Sequence, residues 1–244
     1  SPEELSRRVG EGSPPCCIDL GYRALNTVGN AHEVLRQLLA ILVAILRFAT
    51  EQLVDHRLQI ARPDGLSVLL IGGEAIAVAC AGLIAPVQNV MIDAGTTCHQ
   101  VARRLGDKVA QIITNSLPIA NLFSGSNRHE VHVSGGVIYP RLGTLVGPDA
   151  VETFSRMHAD VAILSGSGIA ADGIYNSHAL LVDIQRAMIA GSAKVIFCLD
   201  HTKFGRRSTF FVCDFAKVDV VVTDRQAPAE LVSGLRAKGL EVVI

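Results

Sequence analysis

From about residue 71 onward, short apolar runs recur at 90–92, 111–114, 131–134, 161–165, 195–199, 218–223 and 242–244. Nearly every run ends at Asp, Asn, Ser or Gly. Between several of them the apolar spacing turns helical, at 75–83, 99–105, 117–122, 150–157, 179–191 and 229–237. Pro228 suits a first helical turn, and Gly239 falls just past a helix end. The strand runs are continuously apolar, not alternating, which predicts strands buried on both faces. Alternation with helices then predicts an α/β domain built on a mostly parallel sheet. In such sheets ligands bind beyond the carboxyl ends of the strands.

Residues 1–70 do not follow this pattern. Residues 3–9 read as a short helix, 10–15 as a loop, and 18–25 as a second helix interrupted by Gly21. Residues 34–48 are almost wholly aliphatic. Their nine-residue apolar stretch from Leu38 to Leu46 spans about 14 Å as a helix, too short for a bilayer of roughly 30 Å. A buried or dimer-forming helix is expected there, with no membrane partner. Two domains follow, 1–70 and 71–244.

Composition narrows the class. The 244 residues are 49% apolar and 18% charged, enough to bury a sizeable core and unlike a disordered chain. Trp is absent and aromatics make up 5%, so the core must be aliphatic, as parallel sheets prefer. Residues 1–70 hold seven Lys/Arg and eight Asp/Glu, so no basic surplus marks them for nucleic acid. The chain opens Ser-Pro-Glu-Glu, unlike a secretory signal, and lacks an initiator Met, as if the start had been trimmed. The six cysteines have no ligand or bridging spacing, and the eight histidines are scattered. Reduced, buried thiols, a cytoplasmic location and no metal or cofactor are expected.

The candidate chemistry lies in the loops after the strands. Asp93-Ala94-Gly95-Thr96-Thr97 ends one apolar run and opens a helix. Free backbone N–H groups and hydroxyls at a helix start attract anions, phosphate above all. An ordinary turn with a Thr cap is the alternative. Thr114-Asn115-Ser116 precedes the next helix and reads either as ligand-binding or as a cap. Ser134-Gly135-Gly136 and Ser165-Gly166-Ser167-Gly168 allow close backbone approach. Asp200 through Arg207 brings an acid and several cations, and Lys203 can neutralise a phosphate as a point charge.

Taken in order, Asp93-Ala94-Gly95-Thr96-Thr97, Thr114-Asn115-Ser116, Gly135-Gly136, Leu145-Val146-Gly147-Pro148, Arg186-Ala187-Met188-Ile189 and Asp200-His201-Thr202-Lys203-Phe204-Gly205 resemble the effector-binding domain of DeoR-type bacterial repressors. The last motif is closest to the branch containing the glycerol-3-phosphate repressor. The resemblance covers residues 74–244. It implies a Rossmann-like fold shared with ribose-5-phosphate isomerase and a role in sensing a phosphorylated sugar or polyol. The expected effector site comprises Asp93, Gly95, Thr96, Thr97, Thr114, Asn115, Ser116, Gly135, Gly136, Gly166, Asp200 and Lys203. Homo-oligomers are implied as well.

Members of that family carry an N-terminal winged helix-turn-helix that binds operator DNA. Residues 2–9 resemble its first helix and Ser13-Pro14 the start of its recognition helix. Pro15-Cys16-Cys17-Ile18-Asp19-Leu20 then departs from the family's arginine-bearing pattern, and Cys-Cys-Ile cannot contact base edges. A diverged or frame-disrupted DNA-binding half on an intact sensor is the resulting expectation. Two other functions compete with the regulator: a sugar-phosphate isomerase, and a sensor module that oligomerises without binding DNA. An isomerase needs a carboxylate base. The loop Gly166-Ser167-Gly168-Ile169 has none, which leaves Asp172 or Asp183 to serve. Gln185 stands where the family often has Lys.

Overall fold

The computed structural model describes residues 66–244; the expected helices at 3–9, 18–25 and 34–48, the DNA-binding region, Cys16 and Cys17 lie outside the described residues. Ser67–Ile244 forms one compact unit. Helix α1 (Leu66–Gly82) leads into strand β1 (Gln88–Ile92), helix α2 (Thr96–Leu105), β2 (Val109–Thr114), α3 (Leu117–Phe123) and β3 (Glu130–Val133). A hairpin of β4 (Val137–Tyr139) and β5 (Thr144–Val146) follows, then α4 (Pro148–Ser155) and β6 (Ala159–Leu164). Next come the hairpin β7 (Gly168–Ala170) and β8 (Gly173–Asn176), α5 (Ala179–Ala190) and β9 (Ser192–Cys198). The chain ends with β10 (Phe210–Cys213), β11 (Val220–Val222), α6 (Ala229–Ala237) and β12 (Glu241–Val243).

Seven strands make one sheet in the order β12-β11-β9-β6-β1-β2-β3, and every neighbouring pair is parallel. These are the seven runs picked out by apolar patterning. Alternate residues of each strand feed two separate cores. Val90, Ile92, Ile112, Val161, Ile163, Ile196 and Val220 pack under α1, α2 and α3 with Ile76, Cys98, Val101 and Ile119. Met91, Ile113, Ala162, Leu164, Val195, Phe197 and Val221 pack under α4, α5 and α6 with Phe154, Ile184, Met188 and Leu235. Helices on both faces remove water from both, so the strands read as unbroken apolar runs. Cys80, Cys98, Cys198 and Cys213 are free buried thiols. Among the described residues no helix is long and apolar enough to cross a membrane.

The chain builds β1, β2 and β3 outward in one direction, then returns to the other side of β1 to lay down β6, β9, β11 and β12. The order therefore reverses between β1 and β6. Connections diverge to opposite faces at such a point and leave a crevice beyond the carboxyl ends of the two strands.

Candidate functional site at the carboxyl edge of the sheet

Among the described residues, buried polar groups gather at one edge of the sheet. The buried polar or charged residues described are Asp93, Thr114, Asn115, Ser116, Ser134, Thr144, Asn176, Gln185, Asp200, Thr223 and Asp224. Eight of these eleven sit at the carboxyl ends of β1, β2, β3, β9 and β11. The other three bond to that edge: Thr144 Oγ1 donates to Asn115 O at 2.9 Å, Gln185 to Asp93, and Asn176 to Gln185. Burying a polar group without a partner is expensive, so a core that concentrates them at one edge marks that edge. Three buried side-chain oxygens there, Asn115 Oδ1, Ser134 Oγ and Thr223 Oγ1, have no partner.

The β1–α2 turn lies at the crevice. Gly95 is the N-cap of α2 with φ 134°, a conformation open to glycine, and no side chain caps the helix. A Cβ on Gly95 would fall 2.9 Å from Ser165 Oγ, at the end of β6, so the two strand ends are in close approach. Ser165 Oγ donates to Ala94 O at 3.5 Å across the same gap. Thr96 is exposed and Thr97 half-buried. The Thr-cap alternative is therefore not adopted: both threonines lie inside the helix, whose first N–H groups no side chain caps.

Asp93 is buried beside this turn at 2% exposure. Its Oδ1 accepts the Ala94 N–H at 2.8 Å and its Oδ2 accepts from Gln185 Nε2 at 2.6 Å. Burial pushes the carboxyl up to about 7, against the lowering effect of the Gln185, Ala94 and Ser165 hydrogen bonds. Gln185 also donates to Ser165 O at 2.7 Å and accepts from Asn176 Nδ2 at 3.0 Å. Asn176 Oδ1 then accepts from Ser167 Oγ and from the Ser177 N–H. One chain of hydrogen bonds thus joins the ends of β1, β6 and β8 through α5.

The neighbouring loops are organised differently. Thr114 Oγ1 donates to Ile92 O at 2.7 Å and accepts the Ser116 N–H, while Ser116 Oγ caps α3 at Ile119 N. Both hydroxyls are buried: Ser116 caps the helix, and Thr114 ties the end of β1 to the turn that leads into it. Asn115 ties β2 to β5, its Nδ2 donating to Leu145 O and its carbonyl accepting the Leu145 N–H at 2.7 Å. Gly136, with φ 116°, has no room for a side chain: a Cβ would meet Val146 O at 2.5 Å. Gly135 lies against Asp149 at the start of α4. Gly166 packs on Ile174 and Leu199.

Asp200 follows β9. Its carboxylate accepts the Thr202 N–H at 2.8 Å and the Thr202 hydroxyl, and Lys203 Nζ stands 3.6 Å from it. Phe204 bridges to Ile169, which ties this loop to the one after β6. Asp224 after β11 adds to the edge by accepting the His201 N–H and ring Nδ1, both at 3.0 Å. Burial opposes the Asp224 charge, but these donors and the Gln226 N–H outweigh it and hold the carboxyl below its ordinary range.

Asp93 and Asn115 therefore stand on adjacent strands, and Lys203 follows the strand two places from β1, all on one edge. Asn176 and Asp224 are the members that sequence reasoning did not name; Ser165 and His201 stood in candidate loops and Gln185 where the family often has Lys, without being placed among the effector-binding residues. A signal for Gln185 existed: it is a lone amide in the buried stripe Leu181, Ile184, Met188 of α5. Asp172 and Asp183, the two alternative bases, are engaged elsewhere. Asp172 bonds Tyr175 Oη and Arg207, and Asp183 faces Arg186. A cavity of about 420 Å³ lined by Arg186, Val195, Cys213 and Asp219 lies toward the opposite, amino ends of β9 and β11. Among the described residues no His, Cys, Asp or Glu cluster is disposed to hold a metal ion.

The chain is similar to known regulators. It is 28% identical over 168 residues to the HTH-type transcriptional regulator UlaR of Salmonella arizonae, covering 69% of this chain and 66% of the relative. It is 29% identical over 164 residues to the HTH-type transcriptional repressor GlcR of Bacillus subtilis, covering 67% and 64%. The match thus spans just under two thirds of these relatives. Among solved structures, eIF2B beta from Chaetomium thermophilum aligns with a TM-score of 0.44 at 16% identity, over 65% of this chain and 53% of that one. Ribose 5 phosphate isomerase A from Neisseria gonorrhoeae aligns with a TM-score of 0.38 at 13% identity, over 54% and 52%. Residues 72–225 match the DeoR C terminal sensor domain, well over half of the chain, and the protein belongs to that family.

Proposed function

We propose that residues 71–244 are the effector-sensing half of a cytoplasmic transcriptional regulator, and that the carboxyl edge of the sheet holds the phosphate of a phosphorylated sugar or polyol. The observation that carries this reading is the uncapped N-terminus of α2, opened by Gly95 at the point where strand order reverses. Its N–H groups offer an oxyanion donors that no side chain takes. Thr96, Thr97, Gly135 and Lys203 complete the anion's surroundings, while Asn115 and Gly166 shape the walls. Asp93, Thr114, Ser116, Gly136 and Asp200 hold the loops in place. The names of the relatives support regulation of transcription, with operator DNA as the second partner and a DNA-binding half in residues 1–70 impaired by the departures at Pro15-Cys16-Cys17-Ile18.

Turnover is not part of this reading. A carboxyl near 7 suits a general base, but Asp93 is buried with both oxygens engaged. The test is thermal denaturation of the full chain with a panel of sugar and polyol phosphates beside the unphosphorylated sugars. A phosphorylated ligand at about a hundred times its Kd should add roughly 2.7 kcal/mol, or about 5–10 °C. Lys203→Ala should reduce that shift. Equal shifts with unphosphorylated sugars, or none with any phosphate, contradict the assignment, and aldose–ketose turnover in the same samples would establish an enzyme.

A further inference from the structure

The open edge of the sheet carries a second kind of information. Strand β3 ends the seven-stranded sheet, and among the described residues no strand pairs with its outer side. Ser134 donates its N–H to Thr114 O, so by alternation the N–H and C=O groups of Val131 and Val133 point away from the sheet. Soluble proteins blunt such an edge with lysine, proline or a bulge. The strand Glu130-Val131-His132-Val133 has none of these, and its charged side chain, Glu130, is held on one face by Gln111 and His132. Beside it lies an apolar groove of about 780 Å³, lined by Leu117, Pro118, Ala120, Val131, Val133 and Gly143. Further large apolar side chains are exposed close by in the chain: Leu122 (40%), Val137 (73%), Ile138 (53%) and Leu142 (41%).

We infer that this edge pairs with a second copy of the same chain, β3 against β3 in antiparallel register about a two-fold axis through Val131. A two-fold interface must be self-complementary, and the register centred on Val131 meets that condition while pairing the acid of the strand with its imidazole. Centred on Val131, the outward groups of Val131 exchange hydrogen bonds with their symmetry mates. Glu130 then stands directly opposite His132 of the other copy, twice. In the isolated chain His132 Nε2 already lies 3.2 Å from Glu130 Oε1, on the face away from the groove. Moving the axis to Glu130 sets two carboxylates against each other, an unfavourable cross-strand pair, and moving it to His132 or Val133 loses the two Glu130–His132 pairs. On the other face the two grooves meet, so Val131, Val133, Leu117 and Ala120 of both copies close over one another. The sheet becomes continuous across the pair and the exposed edge disappears.

Sedimentation equilibrium of the full chain tests this. The wild type should be a dimer at micromolar concentration. Val133→Lys sets a charge in the seam and should weaken association at least tenfold while leaving the circular dichroism and melting temperature close to wild type, since Val133 is 41% exposed. Glu130→Lys faces His132 and should weaken the dimer roughly two- to twentyfold. The double variant Glu130→Lys with His132→Glu sets an ammonium opposite a carboxylate in both pairs and should restore it. A monomeric wild type overturns the inference. So does a dimer that Val133→Lys leaves intact, because the copies would then meet elsewhere, for instance through the apolar segment 34–48. Failure of the double variant to rescue Glu130→Lys overturns the register.

Discussion

The two edges of the central sheet differ in what they bury. At the amino edge, Asp160 accepts the Asn89 N–H and Asp219 accepts the Val195 N–H, each an isolated carboxylate pinning one strand. At the carboxyl edge, polar groups are sunk into the core and joined into chains, and three oxygens lack a partner. Both edges belong to the same strands and the same two cores, so stability alone gives no reason for the asymmetry. A parallel sheet points its strand ends and its helix N-termini at the same edge. Ligand chemistry collects there, and the polar burial is its structural support.

The largest effect should come from closing the approach of β1 to β6. Gly95→Val requires φ 134° from a branched residue and drives its Cβ toward Ser165 Oγ, 2.9 Å away. Stability should fall by about 2–3 kcal/mol, and the thermal shift with any sugar phosphate should vanish. A retained shift removes the α2 N-terminus from the site.

Asp93 gives the next largest effect, and its sign is specific. Its carboxyl stands at about 7 in the folded protein against an ordinary 3.8. Below about pH 4 both states hold the proton and burial is without penalty. As pH rises from about 4 to 7 the unfolded chain ionises first, so the fold loses stability through that window, to a total of about 4 kcal/mol. Gln185→Lys places a cation beside Asp93 and Ser165 O and removes the acceptor that Asn176 Nδ2 uses. The substitution should lower the Asp93 pKa and raise stability at pH 8 by about 1–3 kcal/mol, with the gain disappearing toward pH 4. Denaturant melts at the two pH values decide it; an equal gain at both would mean that charge pairing is not its source.

Two smaller changes contrast the edges directly. Asp200→Ala removes the carboxylate that caps the Thr202 N–H and faces Lys203, and should lower stability by about 1 kcal/mol while weakening effector binding. Asp160→Ala at the amino edge removes one exposed bond to Asn89 N and should change stability by about 0.5 kcal/mol with no effect on effector binding. Melting curves with and without ligand measure both. Comparable ligand effects from the two variants would erase the distinction between the edges.

Much of the fold is legible in the chain because burial on two faces writes it there. The run Val90-Met91-Ile92 is apolar throughout since Val90 and Ile92 face one core and Met91 the other. Helix α2 extends three residues earlier than its apolar spacing suggests, because Thr96, Thr97 and Cys98 precede the first periodic position, and α1 begins nine residues earlier, at Leu66. Strands β4, β5, β7, β8 and β10 leave no trace in the pattern. They are three or four residues long, β4–β5 and β7–β8 pair as local hairpins while β10 returns to β8, and β4 carries its apolar side chains into solvent. The glycine and hydroxyl loops after the strands announce a site, yet nothing linear reveals that β6 lies against β1 or that Gln185, ninety-two residues from Asp93, bonds to it.

Amide chemical shifts of the isotopically labelled full chain, followed while a stabilising sugar or polyol phosphate is added, test the central claim most directly. The account predicts that the largest saturable shifts fall on Gly95, Thr96, Thr97 and Gly135, with Asn89 and Val195 at the amino edge unmoved. Saturable shifts confined to the amino-edge cavity around Arg186 and Asp219, with the α2 turn silent, would contradict it.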